Sequence, residues 1–172
     1  MKTFLIAAIT ADGFIAKDSA QSPLSWRSKG DRASFIEKTK KPGLAVIMGL
    51  NAAKASRKPL PGRQNVVYAT GPQDLPHWQE YPEWEVTQKE PKELLRDLEV
   101  RGFKEVAICG GSYIYTMFMK AGLIETMYLT IEPWLFGKGI PLFREELEQK
   151  LELSSCKSLE KNTVLLEYNV IK

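Results

Sequence analysis

The 172-residue chain reads as one α/β domain spanning residues 1–172, with a mainly parallel central sheet, an antiparallel C-terminal edge and helices on both faces. Three observations predict this. Short apolar runs alternate with helical patterns from one end to the other, as in strand–helix–strand units. Glycine and proline stand where such helices begin and stop. The length suits a single hydrophobic core.

Residues 3–9 are the first strand: Lys2 precedes an apolar run, and Asp12 and Lys17 end it too early for a secretory leader. Further strands are expected at 44–48, 64–68, 106–109, 126–131 and 163–171, with a weaker one at 151–157. All have the Val, Ile, Leu and Tyr content and the length of strands. Helices are expected at 31–40, 51–56, 91–100 and 112–120. Pro91 suits a first helical turn, while Gly102 and Gly122 follow two helix ends. The last strand, 163–171, is expected to form the antiparallel edge. Segments 11–30, 71–81 and 134–143 are the irregular stretches. Long connections of this kind are commonly functional. In an open α/β sheet, ligands lie beyond the carboxyl ends of the strands. That places residues 11–30, 49–51 and 110–111 on one rim.

The apolar fraction of 44% and charged fraction of 26% describe an ordinary globular chain. A net charge of +3 gives no case for nucleic acid or an acidic membrane as the main partner, though it suits an anionic ligand. Two cysteines, Cys109 and Cys156, and one histidine, His77, make neither a disulfide framework nor the usual zinc site, so no metal is expected. No apolar run approaches the ~20 residues that span a bilayer. A cytoplasmic location is the simplest expectation.

Four places carry candidate chemistry. Gly110-Gly111-Ser112 follows Cys109 at a strand end and opens a helix. Paired glycines there either cradle a phosphate at the helix N-terminus or make a tight turn. Met48-Gly49 ends another strand in the same way. Arg63 follows the turn signal Pro61-Gly62, and is either a bidentate carboxylate partner or a surface arginine. Asp31 stands near a helix start, with Trp26 before it and Phe35 one turn on. It is either a cap or the carboxylate that faces the cleft and handles a proton or an amidine-like ring edge.

These motifs resemble the dihydrofolate reductase family nearly end to end. Leu5-Ile6-Ala7-Ala8-Ile9 and Asp12-Gly13-Phe14-Ile15-Ala16 are similar to its first strand and mobile loop. Trp26, Asp31 and Phe35 fall at the family spacing for the loop tryptophan, the active-site acid and the aromatic beside the pterin. Val46-Ile47-Met48-Gly49, Leu60-Pro61-Gly62-Arg63, Gly110-Gly111-Ser112 with Tyr115, and Tyr128-Leu129-Thr130 match further segments in order. The resemblance implies NADPH-dependent reduction of dihydrofolate to tetrahydrofolate. Asp31, Trp26 and Thr130 would be catalytic, with Thr130 orienting Asp31. Ile6, Ala7, Phe35, Leu60, Arg63 and Cys109 would meet the substrate, Arg63 taking a folate carboxylate. Ala8, Ile15, Gly49, Leu50, Asn51, Ala52, Ala69, Thr70, Gly110, Gly111, Ser112 and Tyr115 would meet NADPH, with residues 11–24 closing over it. A monomer or homodimer is expected.

Two departures keep other readings open. Gly122-Leu123-Ile124 and residues 136–143 look at least as much like the riboflavin-pathway pyrimidine reductases, which share the fold and act on a phosphoribosylated aminopyrimidine. Leu50-Asn51-Ala52 stands where the family places the arginine and threonine that grip the cofactor phosphates. There Asn51 is expected to cap the helix, and Lys54, Arg57 or Thr70 to supply part of the grip. A non-catalytic folate-binding member is the third reading.

Overall fold

A computed structural model describes residues 1–21 and 25–172. An eight-stranded sheet forms the centre, in the order β5 (Trp84–Thr87), β4 (Gln64–Tyr68), β3 (Leu44–Gly49), β6 (Glu105–Ile108), β1 (Lys2–Thr10), β7 (Thr126–Glu132), β10 (Thr163–Val170), β9 (Leu151–Glu160). Neighbours from β5 to β7 run parallel, and β10 is antiparallel to both β7 and β9. Helices α1 (Lys29–Thr39) and α2 (Leu50–Ser56) cover one face, whereas α3 (Pro91–Val100) and α4 (Ser112–Lys120) cover the other.

The sheet is central because its strands can be buried on both sides. Residues Leu44–Met48 of β3 are all buried, as are Thr3–Ala8 of β1. Such strands read as unbroken apolar runs. On the α3/α4 face, Leu5, Ile47 and Ile108 meet Leu94, Leu98 and Phe118. On the other face, Phe4, Val46 and Met48 meet Ala53, with Phe35 packed against them. Each fully buried aliphatic side chain contributes about 1.5–3 kcal/mol.

Some elements differ from expectation. The antiparallel edge is β9, and the terminal strand β10 lies inside it. Thr163 and Leu165 of β10 are buried, whereas β9 has no buried residue and can face water. Strand β5 adds a parallel edge where no strand was expected; its Trp84-Glu85-Val86-Thr87 is too short and mixed to stand out. Two irregular stretches hold a small second sheet, β2 (Phe14–Ala16) against β8 (Ile140–Pro141). Helix α2 begins at Leu50 with Gly49 as its N-cap, so Asn51 lies inside the first turn and caps nothing.

The small sheet is clasped by Asp12. Its carboxylate accepts hydrogen bonds from the Phe136 and Gly137 amides at 3.0 and 2.6 Å, and from the Thr10 hydroxyl. These donors hold the Asp12 carboxyl below the usual carboxylate range, the Thr10 hydroxyl foremost. The clasp joins the loop after β1 to the loop after β7, and brings Ile15 and Ile140 to the mouth of a cleft. Residues 22–24 of the expected closing loop lie outside the described residues. Among the described residues, no helix is long and apolar enough to cross a membrane.

Candidate active site

The cleft, about 700 Å³, opens at the carboxyl ends of β1, β3 and β6. Backbone geometry shapes its floor. Gly110 has φ +108°, a conformation that suits glycine, and its carbonyl accepts from the Gly49 amide at 2.6 Å. The bond ties the end of β3 to the turn before α4. A Cβ at Gly111 would meet no protein atom within 4 Å, so the backbone is open to a ligand there. Ser112 follows as the first residue of α4, and its buried Oγ has no hydrogen-bond partner among the described residues. An open backbone, an unpaired hydroxyl and a helix N-terminus together suit an anion such as a dinucleotide phosphate.

Tyr115, one turn into α4, donates its phenol hydrogen to the Ile6 carbonyl at 2.8 Å. Burial pushes that phenol far above its usual value, so it stays a neutral donor that fixes β1. Burial likewise pushes the Cys109 thiol up to about 12, which makes it an apolar wall rather than a nucleophile.

On the other side, Trp26 and Phe35 make an aromatic wall. Trp26 packs edge-on against Phe136 at 5.4 Å, and its buried Nε1 has no partner among the described residues. Arg63 is held by two bonds, Nε to the Thr39 hydroxyl and Nη1 to the Pro61 carbonyl, each 3.0 Å. Its Nη2 is buried and unpartnered among the described residues, leaving one strong donor for a ligand. Burial lowers its pKa from the ordinary guanidinium value.

Asp31 is buried at the third position of α1. It is not the cap: Ser28 is, its hydroxyl accepting from the Asp31 amide at 3.1 Å. The carboxylate pairs with Arg27, whose Nε bonds Asp31 Oδ2. Arg27 lines the cleft, and the buried Asp31 is held against it. Sequence reasoning missed Arg27, although it stands next to Trp26 and four residues before Asp31, just ahead of the Ser28 cap. It missed Glu132 too. That buried carboxylate accepts from the Ser28 amide at 2.8 Å and from the Thr163 hydroxyl, and so anchors the start of α1.

The remaining expected site residues divide. Ile6, Ala7, Ala8, Ile15, Leu50, Asn51, Ala52 and Leu60 line the cleft. Ala69 and Thr70 line a shallower neighbouring hollow with Leu50. Thr70 gives its hydroxyl hydrogen to Asp74. Thr130 is buried in β7 opposite Ala8, away from the cleft wall, and no hydrogen bond joins it to Asp31 among the described residues. The charged residues that line the cleft among those described are Arg27, Arg32, Arg63 and Arg144 against Asp18, a field that attracts anions.

Comparison with known proteins agrees with this fold. The family model of dihydrofolate reductase matches residues 2–134. The chain belongs to the dihydrofolate reductase family. The members of this family are oxidoreductases. The chain is 31% identical over 167 residues to dihydrofolate reductase type 3 of Salmonella typhimurium, across 95% of this chain and 93% of that one. Two solved structures share the fold at lower identity. One is a pyrimidine reductase-like protein of Corynebacterium diphtheriae, with TM-score 0.77 and 17% identity over 99% of this chain and 92% of that one. The other is Enterococcus faecalis dihydrofolate reductase complexed with NADP(H), with TM-score 0.72 and 19% identity over 99% and 97%.

Proposed function

We propose that the chain reduces dihydrofolate to tetrahydrofolate with NADPH. The observation that carries this is Arg63 Nη2, a buried donor without a partner among the described residues, in the same cleft as Trp26 and Phe35. A folate presents a flat ring for the aromatic wall and a carboxylate for that donor.

The cofactor fits the residues on the opposite rim. Gly49, the open backbone at Gly111 and the unpaired Ser112 Oγ would hold its phosphates. When bound, a reduced nicotinamide supplies the hydride. The chain's own groups do the rest. Ile6, Ala7 and Cys109 position the ring, and Asp31 accepts its N–H groups through the oxygen that Arg27 leaves free. Trp26 Nε1 offers a further donor, while Ile15 and Ile140 narrow the mouth against water.

A second reading, reduction of a phosphoribosylated aminopyrimidine, draws support from Arg32 and Arg144 on the cleft wall, where a phosphate could be met. Following cofactor oxidation with dihydrofolate and then with the aminopyrimidine separates the two. Turnover of dihydrofolate is expected, and Asp31→Asn should reduce it sharply at neutral pH without unfolding the chain. Oxidation with the aminopyrimidine alone would reverse the assignment, and oxidation with neither would leave a binding protein.

A further inference from the structure

We propose that Arg27 and Asp31 together read a lactam edge, an N–H beside a C=O, and that Arg27 makes the cleft prefer a 4-oxo ring to its 4-amino counterpart. The proposal rests on the reading of this cleft as the ring site. A bare buried carboxylate accepts hydrogen bonds only. It would therefore bind best a cationic ring edge that carries two donors. Here Arg27 Nε occupies Asp31 Oδ2. Oδ1 has no donor, and the two Nη atoms of Arg27 have no acceptor, among the described residues. The pair thus offers an acceptor next to donors, and Arg27 stands on the cleft wall.

The arrangement is held in place on both sides. The Arg27 carbonyl accepts from Arg32 Nη2 at 3.2 Å, and the next amide, Ser28, donates to the buried Glu132 at 2.8 Å. The Arg27 guanidinium also lies over the Phe35 ring at 5.4 Å from its centroid. A guanidinium over an aromatic face, with its planar fork of donors, keeps its orientation better than a lysine would. A neutral lactam matches it: the ring N–H meets Asp31 Oδ1, and the ring carbonyl meets an Arg27 Nη. A 2,4-diamino ring that takes up a proton brings a cation and a second donor against the guanidinium. Its first donor can meet Oδ1, but its second donor and its charge then face the guanidinium, where they find no acceptor and like charges repel.

The test is calorimetric titration with two probes, 2-amino-4-oxo-6-methylpteridine and 2,4-diamino-6-methylpteridine. Wild type is expected to bind the oxo compound more tightly. Arg27→Gln should move the affinity ratio by roughly tenfold or more toward the diamino compound. Arg27→Lys keeps the charge without the fork, and should fall between them. Asp31→Asn should weaken both. The proposal is overturned if wild type favours the diamino ring, or if the ratio stays at its wild-type value in Arg27→Gln. Should that variant fail to fold, an unchanged ratio in Arg27→Lys overturns it equally. If neither probe binds wild type, the cleft is not the ring site, and the functional reading falls together with the proposal. Binding of both with an unmoved ratio sinks the proposal alone.

Discussion

At the scale of single residues, the proposed function rests on groups without a protein partner among the described residues. Arg63 is the clearest. Two of its nitrogens are bonded to Thr39 and Pro61, and the third is buried without a partner among the described residues. Arg63→Ala removes a charge-assisted bond worth ~1.5–3 kcal/mol, so folate should bind about 10- to 150-fold more weakly. A pterin without the glutamate tail should bind nearly as before. Titrating both ligands decides the matter, since equal losses would make Arg63 a structural brace for Thr39. Asp31 is the contrasting case, a group that already has a partner. Its pairing with Arg27 sets a guanidinium beside the carboxylate that the ring would meet.

At the scale of elements, the start of α2 is the unusual feature. Its N-cap is Gly49, without a side-chain bond, and Leu50 and Ala52 bring neither a guanidinium nor a hydroxyl to its first turn. Of the residues expected to compensate, Lys54 lies within electrostatic reach of the Asp74 carboxylate. Thr70 is engaged by Asp74, and Lys89 is paired with Asp97 at 3.3 Å. NADPH binding is therefore expected to be weak, with little preference over NADH. The double change Leu50→Arg plus Ala52→Thr should strengthen NADPH by about 1–3 kcal/mol and leave NADH less affected. Titration of both proteins with both cofactors tests this. Strong NADPH preference in the unaltered chain, with no gain from the double change, would mean that other residues hold the phosphate.

At the scale of the whole molecule, the clasp at Asp12 links distant loops and gives the fold a pH dependence of known sign. Its donors lower the folded-state pKa of Asp12 below the ordinary value. The folded state therefore holds its proton less well than the unfolded state does. The stabilisation is fully present above the unfolded value, near ~3.9, and is lost as pH falls through the lower folded one. Asp12→Asn should thus melt below wild type at neutral pH, and the gap should close toward pH values under the ordinary carboxylate range. Melting curves of both proteins over pH 2–7 check this. A gap independent of pH would show that shape rather than charge makes the clasp.

The sequence by itself determined the α/β class, the main parallel strands, the helices and the rim where a site would form. It could do so because strands buried on both faces are written as unbroken apolar runs, and helix ends as proline and glycine. It also marked Asp31, Trp26, Phe35 and Arg63 by order and spacing. Tertiary structure alone decided that β9 and not β10 is the edge, because order within a sheet is set by which face finds a partner and not by position in the chain. It alone paired β2 with β8 and Ser28 with Glu132, contacts between residues more than a hundred positions apart. The partner of Asp31 lay within reach of the sequence at i,i+4. That this pair stands at the cleft did not, because which side chains line a cleft depends on what distant elements pack around it.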